Sequence, residues 1–507
     1  MNIKKIITLE EANSISKKFK NTKKICLAHG VFDVLHVGHV RHFYQIKKNF
    51  PKSLLFVSIT ADKYVRKSLN RPYFNQRLRM QMLSALESID YVVCVEDFSG
   101  IPAINSIKPN IYFKGQDYKN SKDFTKKINL EKKAVEKFKG QLKYTEDISF
   151  SSSNIINNYF STLDDNAKNF LKNLKKEYSF NLIHKIVDEF KKPKILLIGE
   201  SIIDKYIYVK PLNKTPKENL ISNLVIDDNK FLGGVLAVAN HIASFTNNLD
   251  LLTITGSDKE TESLIKKNLK KNIKSHIFKL KNYKSINKIR FIDNSYTTRK
   301  LFELYQMKEN FFSTDKDKKV LSFLKKKIKN YDLVIVNDFG HGLFNREIID
   351  FLEKKSKKLH INVQTNSGNI PYNLVTKFKK ADFVTIDHTE ASLAVGSNSI
   401  NILSMKERLK KLGKFSKIII TKGKGGAVFT KSGKKFNAPI FNKEVVDTIG
   451  TGDAFFSLAS LSTYTNDDQA LASFLGNVAG GIKVSIIGHS KNIEKDIFLK
   501  NVETLLK

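Results

Sequence analysis

Cysteine is almost missing from this chain: two residues in 507, Cys26 and Cys94, each inside an apolar run of strand length. Neither belongs to a full set of Cys and His at metal-ligand spacing, which excludes a disulfide framework or a zinc cage and predicts two core residues in a reducing cytoplasm. Long apolar runs are missing as well. No stretch approaches the ~20 apolar residues that span a bilayer, and the opening Met1-Asn-Ile-Lys-Lys-Ile-Ile-Thr-Leu-Glu has no extended apolar core, so a cytoplasmic protein with no membrane association is expected. Acidic residues are in deficit, 50 against 87 basic ones, for a formal net charge of +37. Such an excess raises the question of nucleic acid. The lysines are spread along the whole length rather than massed in one arm, however, and no nucleic-acid motif accompanies them. Attraction of small anions is the expected consequence. Internal repeats and low-complexity tracts are also absent.

A chain of 507 residues exceeds one ordinary domain of ~100–200 residues and can bury at least two cores. Short apolar runs alternate with helical patterns at Ile25–Ala28, Leu54–Ile59, Tyr91–Val95 and Ile111–Phe113, the pattern of a parallel sheet covered by helices. Asp117 to Tyr144 is polar and lysine-rich and reads as a surface excursion. Between Ser161 and Lys192 apolar residues recur at helical spacing, from Phe170 and Leu174 to Ile186 and Phe190, with Pro193 closing the segment. The alternation restarts at Ile195–Ile198 and continues through Leu251–Ile254, Leu333–Val336, Phe383–Ile386 and Ile418–Ile420. Tyr206–Phe231 and Ile286–Tyr305 break it with a period nearer two, as strands of a small lid would. Two α/β domains are predicted, residues 1–160 and 193–507, with a helical linker over 161–192.

Two constellations carry chemistry. Gly30-Val-Phe32-Asp33-Val-Leu-His36-Val-Gly38-His39 follows the first strand directly. Two imidazoles three residues apart on a helix's first turn, with a glycine between them, can both face a nucleotide's phosphates. There they would stabilise charge on the α-phosphoryl group as pyrophosphate leaves. Far downstream, Asp447-Thr-Ile-Gly450-Thr451-Gly452-Asp453-Ala454-Phe455 sets a glycine-bracketed turn and a carboxylate where a helix begins. The free amides and positive dipole end of such a turn favour an anion, and Asp453 is positioned to take a proton from an alcohol.

The first constellation resembles the nucleotidylyltransferase superfamily marked by His-x-Gly-His, over about residues 22–160. Arg71-Pro72 and Arg77, Lys114-Gly115-Gln116-Asp117-Tyr118, and Ser149-Phe-Ser151-Ser152-Ser153-Asn154-Ile155 look like further elements of its cytidylyltransferase-like branch, especially the sugar-phosphate members. The resemblance implies a Rossmann-like fold, catalytic roles for His36 and His39, and nucleotide contacts from Gly30, Phe32, Asp33, Gly38, Lys114, Gly115, Asp117 and Ser151–Ser153. His29 stands where many relatives carry a smaller polar residue.

The second constellation resembles the ribokinase-like sugar kinases of the PfkB family, over about residues 193–507. It joins Asp204 after a strand, Gly233-Gly234 at a helix start, and Thr421-Lys-Gly423-Lys-Gly425-Gly426 to the Gly450–Asp453 turn. The resemblance implies that Asp453 is the general base and that the amides of Gly450, Thr451 and Gly452 form an anion hole. Asp204, Gly233 and Gly234 would then bind sugar hydroxyls, and Thr421, Gly423 and Gly426 would lie along ATP. Asp387-His388-Thr389-Glu390 stands where these kinases show Asn-x-x-Glu, implying Mg²⁺ placed through water by Asp387 and Glu390. Ala237 takes the place of a common sugar-contacting Asn, with Asn240 one turn further on.

Together the halves resemble the bifunctional heptose-phosphate kinase/nucleotidylyltransferases, whose familiar form carries the kinase first; here the order is reversed. The resemblance implies ATP-dependent phosphorylation of a sugar or sugar phosphate, then nucleotidyl transfer from ATP or CTP to the sugar 1-phosphate. Two other readings stand beside it: a CTP-dependent cytidylyltransferase for an alcohol phosphate such as glycerol 3-phosphate alongside an independent sugar kinase, and a non-enzymatic polyanion-binding scaffold. The partners expected are small nucleotides and sugar phosphates, with no nucleic acid or membrane, and a homodimer formed through the exposed edges of the lid.

Overall fold

A computed structural model describes residues 3–65, 71–115, 127–145, 163–281, 283–295, 299–308, 312–397, 401–431 and 433–506. Asp117 and Ser151–Ser153, expected to contact nucleotide, lie outside the described residues. The chain forms two compact units, Met1–Thr162 with Leu499–Lys507, and Leu163–Phe498.

The first unit is built on five parallel strands, β1 (Ile25–Gly30), β2 (Leu54–Thr60), β3 (Tyr91–Val95), β4 (Ile111–Gly115) and β5 (Gln141–Thr145), in the order β3-β2-β1-β4-β5. Alternation along β1 divides the core between the two faces of the sheet. Cys26 and Ala28 pack with Phe43 and Ile46 of the helix Val37–Asn49, while Ile25 and Leu27 pack with Ala12, Ala103 and Ile104 of the helices Leu9–Phe19 and Ile101–Ile107. Burial of both faces explains the nearly unbroken apolar strands that the sequence displays. Cys26 is buried and Cys94 half-buried, and burial pushes both thiols up. The polar segment read as a surface excursion ends instead in β5, an edge strand exposed on alternate residues, so only half of a strand signature reaches the sequence.

In the second unit the strands are β6 (Ile195–Gly199), β7 (Ser201–Lys214), β8 (Ile221–Gly234), β9 (Leu249–Thr255), β10 (Ile273–Lys279), β11 (Ile286–Asp293), β12 (Arg299–Gln306), β13 (Leu333–Asp338), β14 (Leu359–Val363), β15 (Lys380–Asp387), β16 (Lys414–Thr421), β17 (Ala427–Lys431) and β18 (Lys434–Ala438). Nine form the main sheet, β10-β9-β6-β13-β14-β15-β16-β17-β18, parallel up to β16 and antiparallel beyond. The other four make the predicted lid, β12-β11-β7-β8. A single residue, Glu200, separates β6 from β7, so the chain passes from the main sheet into the lid and returns at Gly234 straight into the helix Val235–Ala243. The helix Thr451–Asn466 is buried at every position from Asp453 to Thr463, as a helix enclosed on all sides must be. Helices Asp165–Glu177 and Phe180–Glu189, from the stretch read as a linker, belong to this unit. Between them the Tyr178 hydroxyl donates to Asn466 at 3.0 Å and Asp468 at 2.9 Å. No helix among the described residues is long and apolar enough to cross a membrane.

Candidate active sites

In the first unit the sheet order reverses at β1 and β4, the kind of switch point beside which open α/β sheets bind ligands. His36 follows β1 and caps the helix Val37–Asn49: its Nδ1 accepts the Gly38 amide at 3.2 Å, which in the neutral ring leaves the proton on Nε2. The rings of His36 and His39 stack with centroids 3.8 Å apart, and Phe32 meets His39 edge-on at 5.1 Å. Phe32 holds φ at 47°, a left-handed conformation costly for a bulky residue and common where a site is pre-organised. Gly30 leaves room for its ring to fold back: a Cβ there would sit 3.0 Å from it.

Two other predicted contacts have structural partners. Asp33 is fully buried, pairs with Arg71 at 2.6 Å and accepts the Tyr73 and Phe74 amides at 2.6 and 3.0 Å. It therefore fastens the segment after Arg71 against the imidazole loop. Buried Lys114 pairs with Glu131 at 2.9 Å and donates to the His29 carbonyl at 3.3 Å. His29 faces Ser58 at 2.9 Å, and burial, then the Lys114 charge, pull it well below the usual imidazole range. Arg79, which the sequence reading overlooked, is fully buried and ties together the carbonyls of Val31, Thr60 and Phe74. Arg77 instead lines a cleft of about 360 Å³ with Lys63 and Glu96 beyond the ends of β2 and β3.

In the second unit the Gly450 turn opens the helix Thr451–Asn466. Gly450 has φ 75°, and a Cβ there would run into the His489 ring. Gly452 faces open space. The Thr451 amide donates to the Thr448 carbonyl at 3.2 Å. Asp453, in the first turn, accepts from Gln364 at 2.7 Å; Gln364 also donates to Asn362 at 2.8 Å, and Asn362 accepts from Asn337 at 3.1 Å. This chain of amides crosses the C-terminal ends of β13 and β14. Burial pushes Asp453 up to about 6, against the lowering effect of Gln364 and Asn337, while the Asp204 charge adds to the rise.

Asp204 on β7 pairs with Arg290 at 2.5 Å and stands 3.6 Å from His489. A Cβ at Gly233 would strike its carboxylate, and Gly234 holds φ 56°, so both glycines are needed at this seam. Arg290 continues to Glu303 at 2.5 Å, and buried Lys288 lies among Asp204, Arg290, Glu303 and Asp453, its pKa lowered chiefly by burial. Burial lowers His489 to about 4 although Asp204 raises it, so its imidazole is neutral at physiological pH. Asp447 accepts from Tyr206 at 2.6 Å, Lys300 at 2.7 Å and the Gly488 amide at 2.8 Å; burial alone would raise it, but these bonds hold it at about 2. Asn240 is engaged away from the seam, with the Asn268 carbonyl at 3.1 Å and the Lys270 amide at 2.9 Å, while Ala237 is buried in its helix.

Thr421 pairs in register with Asp387, and its hydroxyl reaches the Ile386 carbonyl at 3.5 Å. Gly423 has open space at φ 50°, whereas a Cβ at Gly426 would strike the Ala438 carbonyl. Asp387 and Glu390 form a capping box: Asp387 accepts the Thr389 amide at 2.8 Å, and Glu390 accepts the amides of Asp387 at 3.1 Å and Thr365 at 2.8 Å. Burial raises Glu390 to about 7 despite those amides, with the charges of Asp387 and Asp453 adding to it. Both Glu390 oxygens already take an amide, so a hard cation at this carboxylate would be held through water rather than directly.

The residues that the sequence reading missed are mostly polar groups at strand ends. Asn362 sits in Leu359-His-Ile-Asn-Val, where alternate polar residues disguise a fully buried strand. Polar residues at the C-terminal ends of parallel strands were the available signal, because that is where such sheets bind ligands.

Fold and site define two α/β units, a larger one with a β-lid over a glycine turn at a helix start and a smaller Rossmann-like one. The chain belongs to the pfkB family of carbohydrate kinases, whose model matches residues 192–496, and residues 27–158 match the cytidylyltransferase-like model. Among relatives, the "Bifunctional protein HldE" of Histophilus somni is 25% identical over 305 residues, covering 60% of this chain and 62% of that one. Its Campylobacter jejuni namesake is 25% identical over 330 residues, 62% of this chain and 68% of that one. The first of these matches thus spans about three-fifths of the relative's length. Among solved structures, ribokinase from Thermotoga maritima is 18% identical with a TM-score of 0.48, covering 61% of this chain and 100% of that one. Phosphofructokinase-2 from Escherichia coli is 12% identical with a TM-score of 0.49, covering 62% and 100%.

Proposed function

We propose that this protein makes a nucleotide-activated sugar, a heptose, in two steps in the cytoplasm. The second unit phosphorylates the anomeric hydroxyl of a sugar or sugar phosphate with ATP. The first unit then joins that sugar 1-phosphate to a nucleotide from ATP or CTP, releasing pyrophosphate.

The observation that carries the reading is Asp453: a buried carboxylate with its pKa raised to about 6, in the first turn of a helix that opens on a left-handed glycine. A base near that value is ionised at neutral pH yet basic enough to take the acceptor's proton as its oxygen attacks the γ-phosphorus. The hydroxyl oxygen bonds to phosphorus, the bond to the ADP oxygen breaks, and the proton passes to Asp453. The first-turn amides around Gly450 and Gly452 receive the transferring group, Asp204 and the Gly233-Gly234 seam hold sugar hydroxyls, and Thr421 and Gly423 lie along the nucleotide. Asp387 and Glu390 would hold Mg²⁺ through water, and the ion would offset phosphate charge. In the first unit, the stacked His36 and His39 at a helix start stabilise the α-phosphoryl group. That the relatives are named bifunctional supports pairing the two activities.

A homodimer fits the lid. Leu212, Leu220, Ile221, Leu224, Val225 and Ile226, in the outer halves of β7 and β8 and the turn joining them, are 50–66% exposed, apolar surface that a second copy would cover. The test is mass spectrometry of products after the purified protein, sized by sedimentation, meets ATP, CTP and Mg²⁺ with a panel of sugars, sugar phosphates and alcohol phosphates. A heptose phosphorylated at its anomeric oxygen, followed by a nucleotide-heptose, is expected. Pyrophosphate release with alcohol phosphates alone would replace the nucleotide-sugar reading with that of an alcohol-phosphate cytidylyltransferase beside an independent kinase.

A further inference from the structure

Lys483 is a buried cation to which the phosphoryl transfer above assigns no task. It is the last residue of the helix Gln469–Lys483 and is wholly enclosed. A lysine at a helix C-terminus ordinarily caps the carbonyls of its own last turn. This one does not. Its Nζ donates to the carbonyl of Ile449 at 2.6 Å and to that of Gly488 at 2.6 Å. Ile449 immediately precedes the Gly450 turn, and Gly488 immediately precedes His489, which packs on that turn. The same two segments are joined by the Val446 and Asp447 amides to the Val484 carbonyl, each at 3.0 Å, and by the Gly488 amide to Asp447 at 2.8 Å. Both Lys483 hydrogen bonds thus go to main-chain carbonyls, with Asp447, Asp453 and Asp204 favouring its charge from further off and burial lowering it to about 8.

The peptide plane gives this arrangement a consequence. Across a trans peptide the C=O and the following N–H point in opposite directions. Holding the Ile449 carbonyl toward Lys483 therefore aims the Gly450 amide the other way. We propose that Lys483 is a positioning residue of the kinase, a resident ammonium clamp that orients the Gly450 turn and places a fixed positive charge behind its anion-binding amides. The inference rests on the kinase reading of that turn.

The experiment compares Lys483→Met, which fills the same volume without charge, with Lys483→Ala, which opens space, in chloride salts of methylammonium and of tetramethylammonium at equal ionic strength. Lys483→Met should lose about 10²-fold in kcat for ATP-dependent phosphorylation, the scale on which misplacement of a positioned group is felt, with the sugar KM little changed. Methylammonium, but not the bulkier ion, should restore about tenfold of the loss in Lys483→Ala, as one recovered charge-assisted hydrogen bond would. A Lys483→Met enzyme with wild-type kcat, or a folded Lys483→Ala enzyme indifferent to methylammonium, overturns the clamp. If Lys483→Ala does not fold, the kcat of Lys483→Met decides. If the wild type phosphorylates no sugar, the kinase reading fails separately. The clamp is then judged by melting, where methylammonium must raise the Tm of Lys483→Ala and leave the wild type unmoved.

Discussion

The two candidate sites are built from different materials. In the first unit the proposed reacting groups are two stacked imidazoles at a helix start, half-buried, while the charges of Asp33, Arg79 and Lys114 are taken up in bonds to Arg71, main-chain carbonyls and Glu131. In the second unit the proposed reacting carboxylate, Asp453, is itself enclosed and tuned by its surroundings: Gln364 and the amide chain on one side, Asp204 and Lys288 on another. The difference separates stability from chemistry. An imidazole near the surface can change without disturbing the core, whereas a buried carboxylate cannot change without altering the energy of the fold.

The largest effects test that separation directly. Asp453→Asn should lower ATP-dependent phosphorylation by about 10²–10⁴-fold, the range a general base contributes, and leave pyrophosphate release from supplied sugar 1-phosphate intact. His39→Asn should do the reverse, by about 10²–10³-fold, with no change in melting. Single-turnover assays of both half-reactions on each variant read this out, and loss of both activities in either folded variant would erase the comparison.

A smaller effect is expected from glycine substitution. Gly450→Ala combines a left-handed φ with collision against His489, so calorimetry should find a loss of about 1–3 kcal/mol together with slowed phosphorylation. Gly115→Ala in the first unit, where a Cβ would meet nothing within 4 Å, should melt as the wild type does. Equal losses at the two glycines would show that the enclosure of the second site is no stricter than that of the first.

The gentlest test is pH. In the proposed transfer Asp453 serves as a base only when ionised, so phosphorylation should fall as pH drops through about 6. Its folded pKa stands above the unfolded ~3.9, so the linked stability is full below the unfolded value and is lost as pH rises through about 6. Asp453→Asn should therefore melt higher than the wild type at pH 8, by on the order of 1–3 kcal/mol of stability, with the gain shrinking toward pH 5. A variant no more stable than the wild type at pH 8 would mean that the carboxylate is not penalised by its enclosure.

What could be read from the sequence follows from what is local. Period-two and period-3.6 patterns revealed most of the parallel strands of both units and the lid, because burial of one face or two writes itself into consecutive residues. β5, β10 and β14 escaped for opposite reasons: Gln141–Thr145 and Ile273–Lys279 are exposed edges, and Leu359–Val363 buries its polar residues. The glycine turns and the His-x-Gly-His spacing were legible because a turn at a helix start is made by neighbours in the chain. The sequence by itself thus determined two α/β units and the helix starts that carry Asp453, His36 and His39. Only the tertiary structure decided that Asp33 and Lys114 are bound to Arg71 and Glu131, and that Asp204 is paired with Arg290. It alone brought Gln364 and Lys483 to the Asp453 turn from 89 and 34 residues away, as the bonds to Asp453 and Ile449 measure. The tuning of a carboxylate depends on burial and on charges a few ångströms off, and those distances exist only once the chain has closed.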